Sequence, residues 1–92
     1  MNSWRVLIAD DDPLVLAMLR DSLEPLQVTI LDARDGEEAV RVATAERPDL
    51  ILLDVMMPRM DGYQAAALLK QDPATAEIPL IFVSALGASR DK

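Results

Sequence analysis

The chain has 92 residues, 51% of them apolar, and nine basic against sixteen acidic side chains give it a net charge of −7. This length suits one small domain, and the negative charge disfavours binding to nucleic acid or to an anionic membrane surface. Cysteine and histidine are absent, which excludes disulfides and metal sites built on sulfur or imidazole. No signal-peptide pattern and no apolar run near ~18 residues is present, so we expect a cytoplasmic protein.

Short apolar runs alternate with helix-like segments along the chain. The first apolar run, residues 6–9, predicts a strand that ends at Asp10-Asp11-Asp12. Asp12 followed by Pro13 is typical of a helix N-cap and first helical residue, and the apolar spacing predicts a helix over 13–24 that Pro25 ends. The later segments predict a strand over 28–31, a helix capped at Asp35 and ending near 47, a strand over 50–53, a helix over 62–71 and a strand over 78–83.

This βαβαβαβ order predicts a three-layer α/β fold, in which a parallel sheet is covered by helices on both faces. The run Leu50-Ile51-Leu52-Leu53 shows no alternation, as expected of a strand buried on both sides. In such sheets, ligands bind beyond the carboxyl ends of the strands. That rule directs attention to the polar residues that follow the strands.

Carboxylates stand at the ends of two strands that are candidates for neighbours. Asp10 and Asp11 end the first strand, Asp54 ends the third, and Ser84 follows the fourth. If strands one and three pair, three carboxylates converge, and their repulsion favours a bound divalent cation. With no histidine or cysteine available, Mg²⁺ is the cation that this donor set suits best. Each motif alone also has a structural interpretation, as a turn, a helix cap or a strand end.

Taken together, these motifs resemble the receiver domain of two-component response regulators, a flavodoxin-like (CheY-like) fold with expected strand order 2-1-3-4 here. The resemblance rests on the acidic cluster after the first strand, on the stretch from Leu53 to Gly62 (Leu-Asp-Val-Met-Met-Pro-Arg-Met-Asp-Gly), and on the segment from Asp72-Pro73 to Ser84-Ala85. It covers the whole chain in register. The Asp54 to Gly62 stretch is its most specific part.

The resemblance implies a role for each matching residue. Asp54 matches the phosphoacceptor, and Asp10 and Asp11 match the acidic pair that positions Mg²⁺. Met56 matches the position whose backbone carbonyl completes the metal shell, and Ser84 matches the hydroxyl that moves onto the phosphoryl group in the switch.

The remaining matches concern the loop and the partner. Pro58 and Gly62 match residues that shape the loop after the acceptor strand, while Asp12 fits a capping role better than ligation. The implied phosphoryl donor is a histidine kinase or a phosphotransfer protein. The chain itself would be a phosphoacceptor rather than an enzyme in the usual sense.

An aspartyl-nucleophile phosphohydrolase of the haloacid dehalogenase type is the rival enzyme class. Those enzymes carry a second acid two residues after the nucleophile, where this chain has Met56. The sequence therefore favours the receiver domain.

The length leads to a second alternative. Receiver domains have five strands and five helices, so residues 1–92 are expected to form a single receiver domain truncated before strand five. The family's lysine after strand five is then absent, and Lys92 does not match it. The expected consequence is an exposed edge on the fourth strand, which recruits other chains in many proteins. The alternative function is thus a truncated, non-phosphorylated interaction module, which forms a homodimer through this edge or a swapped oligomer by exchanging an element with a second copy.

Overall fold

A four-stranded parallel sheet forms the centre of the molecule in the computed structural model, which describes residues 4–83. The strands are β1 (Arg5–Ala9), β2 (Thr29–Ala33), β3 (Leu50–Asp54) and β4 (Leu80–Val83), in the order β2-β1-β3-β4. The helices are α1 (Pro13–Leu23), α2 (Gly36–Glu46) and α3 (Gly62–Gln71), and a 3₁₀ turn at Glu24–Leu26 follows α1. The predicted α/β class and the strand order 2-1-3-4 are confirmed.

The three helices begin at aspartates whose side chains cap them. Asp12 accepts a hydrogen bond from the Leu14 N–H at 2.9 Å, and Pro13 occupies the first turn of α1. Asp35 caps α2 in the same way, and Asp61 forms a reciprocal capping box with Gln64 at the start of α3. These caps satisfy backbone N–H groups that have no partner within the helix. The caps predicted at Asp12 and Asp35 are confirmed.

The predicted end of the first helix was wrong in its detail. The α-helix ends at Leu23, but Pro25 lies inside the 3₁₀ turn that follows it. A proline fits the first positions of a helical turn, because its missing N–H has no partner there in any case. The helical course ends instead at Gln27, whose φ of 58° is left-handed.

Two strands, β2 and β4, have a boundary that differs from the prediction by two residues. The strand predicted over 28–31 runs from Thr29 to Ala33, because Asp32 and Ala33 pair in register with the end of β1. The strand predicted over 78–83 begins only at Leu80. The preceding Ile78 N–H donates to the Thr75 carbonyl at 3.1 Å and closes a turn.

The core is divided by the sheet into two clusters. The larger cluster lies between the sheet and the helices α2 and α3, and its buried residues are Leu7, Ala9, Ala33, Ala39, Ala43, Ile51, Leu53, Met57, Ala65 and Leu69. The smaller cluster lies on the face that α1 covers, and its buried residues are Val6, Ile8 and Leu16. Successive residues of β1 therefore point to opposite faces, as the pleat of a strand requires. Within residues 4–83, no helix is long and apolar enough to cross a bilayer.

Candidate functional site

The strand order brings three carboxylates together at one edge of the sheet. β1 and β3 are parallel neighbours with Ala9 opposite Leu53, so the aspartates that follow these two residues share the carboxyl end of the sheet. One carboxylate oxygen each from Asp10, Asp11 and Asp54 lies within 4.8 Å of the others. The convergence predicted from the sequence is therefore present in the structure.

Asp10 is the most buried member of this cluster, with 5% of its surface exposed. Its backbone N–H donates to the Ala33 carbonyl at 3.0 Å, which extends the pairing between β1 and β2. Its Oδ1 accepts the Asp12 N–H at 2.9 Å. Burial, together with the charges of Asp54, Asp11 and Asp12, raises the pKa of Asp10 to about 6, against the lowering effect of the Asp12 hydrogen bond.

Asp54 is half-buried at the end of β3. Burial raises the pKa of its carboxyl, and the charge of Asp11 acts in the same direction. Hydrogen bonds from the backbone of Met56 and Val55 lower this pKa, as does a hydrogen bond with the Asp10 side chain. Burial and the charges of the neighbouring carboxylates thus disfavour the charged forms of Asp10 and Asp54, an effect that a bound cation would relieve.

The loop that follows β3 places two adjacent methionines in opposite environments. Met56 is 69% exposed beside the carboxylates, whereas Met57 is 9% exposed and belongs to the larger core cluster. Met57 therefore fixes the loop to the core. The loop also contains Pro58, whose carbonyl accepts the Met60 N–H at 2.6 Å.

Gly62 ends this loop at a point where two backbones approach closely. Its N–H donates to the Val55 carbonyl at 2.8 Å, and a Cβ added to it would lie 2.2 Å from the Asp54 carbonyl oxygen. Gly36, at the start of α2, shows the same feature, since a Cβ there would lie 2.1 Å from the Met60 carbonyl oxygen. Only glycine allows these approaches, so both helices begin directly against the loop.

An ion pair that the sequence did not predict also holds the loop. Arg59, with a left-handed φ of 65°, donates from Nε to the Asp35 carboxylate at 3.2 Å. The sequence identified Asp35 only as a helix cap, and it does cap α2 by accepting the Glu38 N–H at 2.8 Å. No local pattern could have revealed this pair, because its partners lie 24 positions apart.

Asp12 and Ser84 are the remaining residues for which the sequence predicted a role near the site. Asp12 is exposed and caps α1, and it does not belong to the three-carboxylate cluster. Ser84 lies outside the described residues.

The donor set of the cluster fits a hard divalent cation. All three side chains offer carboxylate oxygens, the ligands that Mg²⁺ and Ca²⁺ prefer. Burial raises the pKa of both Asp10 and Asp54, and the charges of the neighbouring carboxylates act in the same direction. The fold and the site together define the class of protein. It is a parallel α/β domain with an acidic cluster at the carboxyl ends of β1 and β3.

The chain belongs to the response regulator receiver domain family, whose model matches residues 6–92. It is 39% identical over 88 residues to the DNA-binding transcriptional regulator RpaA of Synechocystis, covering 96% of this chain and 36% of RpaA. It is 38% identical over 88 residues to the protein PilH of Pseudomonas aeruginosa, covering 96% of this chain and 73% of PilH. The chain thus spans about a third of RpaA and most of PilH.

A solved structure shows a similar fold with a metal in place. The receiver domain of a sensor histidine kinase from Pseudomonas aeruginosa, with a magnesium ion coordinated in its active site cleft, superimposes with a TM-score of 0.87 at 28% identity. The superposition covers 97% of this chain and 72% of that domain. Receiver domains take phosphoryl groups from histidine kinases or phosphotransfer proteins, and the family binds Mg²⁺ at an acidic pocket.

Proposed function

We propose that this chain is a cytoplasmic phosphoacceptor receiver domain, in which Asp54 accepts a phosphoryl group from a phosphohistidine of a histidine kinase or phosphotransfer protein. The observation that carries the proposal is the convergence of Asp10, Asp11 and Asp54 within 4.8 Å at the carboxyl ends of two neighbouring strands. Family membership supports the same function. The proposed domain comprises residues 1–92.

Several residues of the site would supply the ligands of the metal. Asp10, Asp11 and Asp54 supply carboxylate oxygens, and Met56 supplies its backbone carbonyl, so the exposed Met56 side chain is free to vary. Pro58 and Gly62 shape the loop that presents this carbonyl. When bound, Mg²⁺ offsets the negative charge on the phosphoryl oxygens and on the acceptor.

The transfer itself requires only one nucleophile from this chain. An Asp54 carboxylate oxygen attacks the phosphorus, a P–O bond forms, the P–N bond of the phosphohistidine breaks, and the released imidazole takes up a proton. The structure supports this role because Asp54 is half-buried at the strand end, with its carboxylate held by the backbone of Met56 and Val55. Ser84 is proposed, from the motif alone, as the hydroxyl that then contacts the phosphoryl oxygens and switches the conformation.

A phosphorylation assay tests this proposal. The chain is incubated with Mg²⁺ and acetyl phosphate, and the intact mass is measured. We expect the mass gain of one phosphoryl group, which Asp54→Asn abolishes and Asp32→Asn, an exposed aspartate on β2, leaves unchanged. A gain that survives Asp54→Asn, or no gain at saturating Mg²⁺, would contradict the proposal.

A non-phosphorylated interaction module is the second candidate, and the exposure of β4 favours it. Within residues 4–83, β4 is the last strand of the sheet, and Ile81 and Phe82 are largely exposed. A strand edge that has apolar side chains and no partner strand within residues 4–83 is a template for a second copy of the chain. Light scattering distinguishes the two candidates, since this module would form a homodimer without phosphorylation and Ile81→Lys would return it to a monomer.

A further inference from the structure

We propose that the ion pair between Arg59 and Asp35 is a positioning device, which holds the loop carrying the Met56 carbonyl and so strengthens Mg²⁺ binding. This inference rests on the proposed function, because it concerns the same metal site. Neither residue belongs to the carboxylate cluster. Both therefore act through the loop and not by ligation.

The geometry around Arg59 shows a loop fastened to α2. The Arg59 Nε lies 3.2 Å from the Asp35 carboxylate, and the side chain of Asp35 is only 15% exposed. The same carboxylate caps α2 through the Glu38 N–H at 2.8 Å. One residue further along each segment, Gly36 meets the Met60 carbonyl in direct backbone contact. A side-chain contact and a backbone contact thus join the same two segments.

The backbone of Arg59 indicates that its side chain is needed where it is. Its φ of 65° lies in the left-handed region, which disfavours side chains other than those of glycine, asparagine or aspartate. A glycine at this position would remove that cost but would also remove the cation that reaches Asp35. The ion pair with Asp35, the residue that caps α2, therefore compensates for an unfavourable backbone conformation in the loop.

The loop between the anchors is short, and so the effect reaches the proposed ligand. Met56 is followed by Met57, which is fixed in the core, and then by Pro58, which precedes Arg59. On the other side, Gly62 is bonded to the Val55 carbonyl at 2.8 Å. Releasing Arg59 would leave the segment 58–60 held by the Gly36 contact and by the packing of Met60 against the larger core cluster. The Met56 carbonyl would then be less well ordered for a metal that demands nearly ideal octahedral geometry.

The test measures the Mg²⁺ dissociation constant by isothermal titration calorimetry for the wild type, Asp35→Asn, Arg59→Gln and their double variant. Asparagine at position 35 can still cap α2. Glutamine at position 59 has the same unfavourable left-handed backbone as arginine. Each change therefore removes little besides the ion pair. Arg41→Gln is the matched control, because it removes an exposed charge from α2 away from the loop. Exchange of the Met60 amide proton in EDTA gives a second readout that is independent of the metal.

We expect both single variants to weaken Mg²⁺ binding by roughly 3- to 10-fold, less than the 10- to 100-fold typical of residues directly behind a metal ligand. The double variant should weaken binding no further than either single variant. The Met60 amide should exchange faster in all three variants, while Arg41→Gln changes neither readout.

The direction in which Asp35→Asn and Arg59→Gln each shift the Mg²⁺ dissociation constant distinguishes positioning of the loop from a through-space charge effect. Removing the negative charge of Asp35 would weaken binding of a cation through space, whereas removing the positive charge of Arg59 would strengthen it. Opposite shifts, or unchanged constants in both variants, would overturn the inference. Arg59→Gly gives a further check, because it relieves the backbone cost and should still weaken binding in a protein at least as stable. A wild type that binds no Mg²⁺ would instead refute the proposed function.

Discussion

Replacing Asp10 with asparagine is expected to stabilise the metal-free chain at neutral pH. The side chain is buried, and its pKa is raised to about 6 from an ordinary value of 3.8. An asparagine oxygen can still accept the Asp12 N–H that Asp10 accepts at 2.9 Å. The substitution therefore removes a buried charge and keeps its hydrogen bond.

The magnitude follows from the difference in proton affinity between the folded and the unfolded chain. A pKa of about 6 against 3.8 corresponds to about 3 kcal/mol, at roughly 1.4 kcal/mol for each tenfold change in proton affinity. Asp11 and Asp12 also flank Asp10 in the unfolded chain and raise its pKa there. We therefore expect a gain of about 2 to 3 kcal/mol for Asp10→Asn at pH 7.

The sign of the pH dependence is part of the prediction. Because the folded chain binds this proton more tightly than the unfolded chain, the stability of the wild type falls as the pH rises from about 4 to above 6. The stabilising effect of Asp10→Asn should accordingly be small at pH 4 and complete near pH 7. Urea unfolding in EDTA, followed by circular dichroism across this range, measures the difference directly.

In the presence of Mg²⁺ the wild type should become more stable than Asp10→Asn, since Mg²⁺ neutralises the charge that the substitution removes. We expect Mg²⁺ to stabilise the wild type and to leave Asp10→Asn nearly unchanged. Asp11→Asn is the control, because Asp11 is exposed and its loss should change metal-free stability by less than about 1 kcal/mol. An Asp10→Asn variant that is no more stable than the wild type at pH 7, or a difference that does not vary with pH, would refute the reasoning.

Substitutions at three further positions test other parts of the structure by urea unfolding. Gly62→Ala should lower the free energy of unfolding by about 2 to 3 kcal/mol, since its Cβ would meet the Asp54 carbonyl oxygen. This clash outweighs the ~1 kcal/mol by which a helix prefers alanine to glycine. A neutral result would show that the contact relaxes freely. Thr75→Val should cost about 1 to 2 kcal/mol, because the buried hydroxyl donates to the Leu69 carbonyl at 2.7 Å and valine cannot; equal stability would mean that this carbonyl finds another donor. Asp12→Ala should cost about 1 kcal/mol through loss of the α1 cap, whereas Asp12→Asn keeps the cap and should be nearly neutral; a large change in Mg²⁺ affinity in Asp12→Asn would contradict its assignment as a cap alone.

Much of the fold could be predicted because the relevant signals are local. Continuous apolar runs marked the strands, and the aspartates at positions 12 and 35 marked helix starts that the structure confirms. The meeting of Asp10 with Asp54 required one further step, the pairing of β1 with β3. The resemblance to receiver domains supplied it through the expected strand order 2-1-3-4, and the structure confirms that order.

The features that could not be predicted depend on contacts between distant segments. The register with β1 sets the true ends of β2, and a run of apolar residues carries no information about that register. The ion pair of Arg59 with Asp35 and the tight approach of Gly36 to Met60 likewise depend on how α2 packs beside the loop. Such contacts leave no periodic signal in either segment.

The unequal covering of the two sheet faces has a consequence for how the molecule opens. The cluster beneath α1 contains three buried residues, against ten in the cluster beneath α2 and α3. Among the described helices, α1 is therefore the one that covers the smaller cluster alone, and its amides should exchange through partial opening before those of α2. This helix starts just after Asp10, so detachment also returns a buried charge to water. A cation that neutralises the charge would thus also slow the opening of this helix.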